Sequence, residues 1–243
     1  MNVGSLARVV VVVGLLAVLP LVASSVRSDE ADSSRDERLY YPSGDFLRQA
    51  TLGFHAPAAD YVWLQATQYY GGYHRGEHDL RYFDHLVDAV ATLDPGFVEA
   101  YHFASLVHCI DHGDFDRALN VLQRGILANP SNWRLHFDMG FVNYVFKRDF
   151  AVASQWFATA AEMDGSTDFC RRFAAFASRR AGDLEGSLLL WDNLYQTTDS
   201  ADMRALAEKM IERCQETLSG APQERLIGPP APSNKTTKLK ESS

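Results

Sequence analysis

The chain has 243 residues, 47% of them hydrophobic and 22% charged, enough to bury a sizeable core and inconsistent with general disorder. Its formal charge of −8 speaks against the basic stripe that neutralises phosphates, so no nucleic-acid partner is expected. Cys109, Cys170 and Cys214 are an odd number with no C-x-x-C pair, and they read as small buried hydrophobes rather than a disulfide framework.

In chain order, Arg8 precedes the uncharged run VVVVVGLLAVLPLVASSV, Val9 to Val26, and the acidic, serine-rich RSDEADSSRDER follows it. As a helix that run spans about 27 Å, close to the hydrocarbon thickness of a bilayer. Residues 1–26 are expected to form one N-terminal hydrophobic helix. It serves either as a single-pass anchor or, given the small residues Ala23, Ser24 and Ser25, as a cleaved signal peptide. Positive charge before the run and acid after it place the N-terminus in the cytoplasm and the bulk of the chain in the periplasm or an equivalent extracytoplasmic space. Cleavage would instead release a secreted protein. Residues 27–42 read as an acidic polar linker.

From residue 43 to 218 almost every segment carries amphipathic-helix periodicity, and strand-like alternation is absent. The breaks GG, DPG, HGD, NPSN, DGST and AGD cut the helices into pieces of about a dozen residues. Two intervals of 35 residues separate the turns at Pro95, Pro130 and Gly165. The second helix of each pair carries a usually small residue followed four later by a large one: Phe83 and Val87, Ala118 and Leu122, Ala153 and Phe157, Ser187 and Trp191. Large-small pairs occur in two first helices, Tyr70-Gly71 and Met139-Gly140. The segment SADMRALAEKMIERCQETL reads as a solvating cap helix, and residues 219–243 as a disordered tail.

On these marks the chain resembles the tetratricopeptide-repeat family from Leu64 to about Leu194, most closely in GDFDRALNVLQRGILANP. It departs from the pattern where Leu106 and Ala175 replace an expected glycine, where Gly165 replaces the proline, and where the third unit has one extra residue before Phe150. The resemblance implies an all-α fold, a right-handed α-solenoid of helix-turn-helix repeats whose first helices line a concave binding face. Placed on that pattern, the groove holds Phe103, Val107 and Ile110 from the second unit. Arg134, Phe137, Phe141 and Tyr144 come from the third, and Phe169, Arg172, Phe176 and Arg179 from the fourth. Aromatics with arginines toward one end suit an apolar peptide or helix ending in an acidic group. A competing possibility is that the chain covers this face itself, through the segment around Phe46 and Phe54 or the tail IGPPAPSNK.

Catalytic signatures are missing: there is no phosphate loop, dinucleotide fingerprint or G-x-S-x-G elbow. His108 and His112 in HCIDHGDFDRAL share a spacing suited to zinc, but Cys109 stands where a zinc protease needs glutamate, and Gly113 marks a turn between helices. His74, Glu77 and His78 in GGYHRGEHDL read as a solvated loop after a helix stopped by Gly71-Gly72, with His85 following on the next helix. The expectation is a non-enzymatic, membrane-anchored scaffold for a protein or peptide partner of an envelope or membrane complex, without metal, cofactor or small-molecule substrate. Two alternatives stand beside it: a metal-dependent hydrolase using the histidine-rich loops, and a structural subunit stable only within its complex.

Overall fold

A computed structural model describes residues 42–220; the expectations for the hydrophobic run, nearly all of the acidic linker and the tail from residue 221 lie outside them. Among the described residues the fold is all-α, with no strand. Ten helices follow one another: α1 (Gly44–Ala50), α2 (His55–His74), α3 (Phe83–Leu93), α4 (Val98–Val107), α5 (Phe115–Ala128), α6 (Trp133–Val142), α7 (Phe150–Ala161), α8 (Asp168–Arg180), α9 (Leu184–Thr197) and α10 (Ala201–Leu218). From α2 onward each packs on its successor in the chain. In addition α1 lies on α3, and α4 reaches α6. No helix among the described residues is long and apolar enough to cross a membrane.

One joint recurs three times. A residue in the left-handed region, Gly113 (φ 65°), Arg148 (φ 57°) or Gly182 (φ 89°), is followed by an aspartate that caps the next helix. Asp114, Asp149 and Asp183 accept from the backbone N–H groups of Arg117, Val152 and Gly186 at 2.9, 3.1 and 2.8 Å. Each side chain thereby satisfies one of the N–H groups that a helix start leaves unpaired. Before the first two joints, α4 and α6 run on through five-residue π-type turns, His108–His112 and Asn143–Lys147. The extra residue expected before Phe150 is absorbed by such a turn, and α4 carries the same device.

The pairs expected to lock second helices all face inward: Phe83, Val87, Ala118, Leu122, Ala153, Phe157, Ser187 and Trp191 are buried. Gly140 explains the need for a small partner, since a Cβ there would meet the Phe157 ring at 2.6 Å. Gly125 plays the same part against Tyr101. At the C-terminal end α10 covers Trp191 and Leu194 with Ala207, Met210 and Cys214, and Ser187 donates its hydroxyl to the Ala175 carbonyl. The three cysteines are all buried and free.

Candidate binding cleft

The helix period sets Val98, Glu99 and His102 on one face of α4, and Trp133, Arg134, Phe137 and Asp138 on one face of α6. Because α4 and α6 are in contact, these faces meet, and Phe169 from the start of α8 completes a cleft of about 320 Å³. Its lining is mostly apolar with a few convergent polar groups, the usual make-up of a binding cleft.

Two charge pairs bridge α4 and α6. His102 Nδ1 lies 2.8 Å from Asp138 Oδ2, and Arg134 stands 4.0 Å from Glu99 with both side chains exposed. The Asp138 hydrogen bond raises the pKa of His102 above its ordinary value, against the opposing effects of burial and of Arg134. The aromatic wall is continuous. Phe137 packs on Phe169 at 5.2 Å, on Phe173 at 5.5 Å and on the buried Phe157 at 4.9 Å.

Arg172 sits over the rings of Phe169 and Phe173, 4.8 and 5.6 Å from their centroids. Its Nε is buried without a hydrogen-bond partner, and burial lowers its pKa. Among the described residues no carboxylate pairs with it. A cation stacked on aromatic faces and short of an acceptor is attractive to an anionic group arriving at Phe169.

Of the residues placed in the groove by the family pattern, the cleft gathers Arg134, Phe137 and Phe169, with Arg172 alongside. Phe141 stands next to it, against Phe137 and Phe146. The remainder serve packing or stand elsewhere. Phe103 is wedged among Trp63, Tyr70 and Phe83, Val107 is buried, and Phe176 meets Trp191 edge-on. Tyr144 is buried against Phe150 and Phe157 because α7, returning after the wide turn, covers it. Ile110 is exposed on the wide turn of α4, and Arg179 is partly buried in the last turn of α8. Phe46 and Phe54 are 61% and 72% exposed, so they do not fold over the cleft.

The family pattern passed over Val98, Glu99, His102, Trp133 and Asp138. A signal was present: Glu99 and Arg134 are 35 residues apart, the interval between the turns at Pro95 and Pro130, and His102 and Asp138 are 36 apart, so opposite charges near that interval link α4 and α6.

The expected break at Gly71-Gly72 is absent, since α2 runs through both glycines to His74, and the histidines at and after its end make local contacts. His78 stacks on Tyr69 at 4.0 Å, and His74 lies edge-on to Tyr70 at 4.5 Å. Among the described residues no three His, Cys, Asp or Glu side chains are grouped to hold a metal ion. No known family model matches the chain, and no curated protein is detectably similar to it.

Proposed function

We propose that this chain is a tetratricopeptide-like scaffold, a right-handed stack of helix pairs that holds a peptide or helix of a membrane or envelope complex against α4, α6 and α8. In this reading the run Val9–Val26 tethers the domain on the extracytoplasmic side of a membrane, or is cleaved to release it. The chain carries out no chemistry of its own. The repeat interval, the small-large pairs on second helices and the recurring left-handed-Asp joint support the repeat architecture. The observation that carries the binding role is the cleft itself, lined by Trp133, Phe137 and Phe169, with Arg172 stacked on Phe169 and its buried Nε without a hydrogen-bond partner. Aromatic area anchors an apolar side chain, and arginine recognises a neighbouring carboxylate.

The test is photo-crosslinking in native membranes from a reactive amino acid at Phe169 and, as control, at Leu127, which is exposed on the second helix α5. A specific adduct from position 169, lost in Phe137→Ala and Arg172→Gln chains that keep their thermal midpoint, is the expected result. Equal adducts from position 127, or none from 169, would sink the cleft as the binding surface.

A further inference from the structure

The wide turn that ends α4 places two imidazoles in an arrangement that packing alone does not require. His108 is 1% exposed, and its Nε2 lies 3.1 Å from Oδ1 of Asp84 on α3. Asp84 also forms an ion pair with Arg117 on α5, and His108 is the chief influence holding its carboxyl below the usual range against the larger opposing effect of burial. A carboxylate only accepts hydrogen bonds, so in the neutral ring the His108 proton sits on Nε2 and Nδ1 presents a lone pair. That lone pair faces Nδ1 of His112, 3.2 Å away, on a residue open to solvent.

Two imidazole nitrogens bound to one tetrahedral ion, each at about 2.0–2.1 Å, stand roughly 3.3 Å apart. A carboxylate behind a ligating histidine fixes the ring and raises its basicity, the arrangement that commonly supports metal-bound imidazole. Asp84 stands in that position, with its second oxygen and charge engaged by Arg117. We propose that His108 and His112 form a binding site for one divalent transition-metal ion, held through both Nδ1 atoms.

Imidazole pairs select zinc, copper, nickel or cobalt over magnesium and calcium, which take oxygen ligands. Water would fill the remaining coordination positions, since among the described residues no third protein ligand converges there. In the neutral pair, binding moves the His112 proton from Nδ1 to Nε2 of this exposed residue, so the protein takes up the ion without net proton release. The ion would tie the last turn of α4 to α3 through Asp84. This inference is independent of the cleft between α4, α6 and α8.

The probe is Co²⁺ or Zn²⁺ alone, titrated into the full chain. One ion per chain is expected, with the visible bands of low-coordinate Co²⁺ and a rise of the thermal midpoint with Zn²⁺. His112→Gln, at a solvent-open position, should abolish both while leaving the metal-free midpoint near that of the parent. Asp84→Asn, which keeps an acceptor for Nε2–H, should weaken binding about 10–100-fold. His78→Gln should change nothing. No stoichiometric ion on the parent, or His112→Gln binding as tightly as the parent, overturns the proposal. Pulsed EPR of the Cu²⁺-loaded parent needs no variant: two coupled imidazoles support the site, and one or none refutes it.

Discussion

Arg148 occupies the left-handed region at φ 57°, a conformation that costs a side-chain-bearing residue about 1 kcal/mol. At the equivalent place in the neighbouring joints stand Gly113 and Gly182. Arg148→Gly is therefore expected to raise stability by roughly 0.5–1 kcal/mol, and Gly113→Ala to lower it by a similar amount, both read from urea midpoints. The His102–Asp138 pair makes a different prediction. His102 has a folded pKa raised above its unfolded value, first by the Asp138 hydrogen bond. Its contribution is complete below the unfolded histidine value and is lost as pH climbs through the raised one. The parent should lose stability between about pH 6 and 8 relative to Asp138→Asn, and superimposable pH profiles of the two chains would show that the pair contributes nothing. The contribution is small because the His102 side chain is half exposed.

For the helices, the decisive quantity is how closely neighbours approach. Gly140→Ala drives a methyl group into the fully buried Phe157 ring and should cost about 1–3 kcal/mol, whereas Gly71→Ala, whose added carbon meets only the flexible end of Arg75, should be stabilising or neutral. Denaturant midpoints of the two variants compare these cases directly. At this scale the sequence was most informative. Helix periodicity, most of the turn residues and the small-large pairs marked the elements and their buried seams, whereas Gly71-Gly72, expected to break a helix, lies inside α2. The cleft was legible only in part. A family pattern indicates which positions face a neighbour, but not which side chain beyond the repeat meets them. Phe103 and Tyr144 look like groove residues until Trp63 and Phe150 are seen to take them up. The π-type turns were visible only as one surplus residue, since nothing in a single sequence says whether an insertion widens a helix or lengthens a loop.

Across the whole domain, stability is shared among neighbouring helices, as α10 illustrates at the C-terminal end. Deleting Ala201–Leu218 uncovers Trp191 and Leu194, both fully buried in the intact chain. In a stack held by nearest-neighbour packing the damage stays near the lost partner. Hydrogen exchange should then show faster opening of α8 and α9 with α2 and α3 unchanged. Uniform loss of protection along the chain would mean that the domain melts as one cooperative block.

The packing of each helix on its immediate successor has a further consequence for how the domain is made. Few contacts wait on distant parts of the chain, so little loop-closure entropy must be overcome before burial begins, and rapid folding on the scale of microseconds to milliseconds is expected. A polypeptide threaded through a narrow pore, from its N-terminal end first, could complete each helix pair as it emerges, long before the last residues arrive. The growing end would expose no more than one unfinished apolar seam at a time, which limits the interval in which the nascent chain can aggregate.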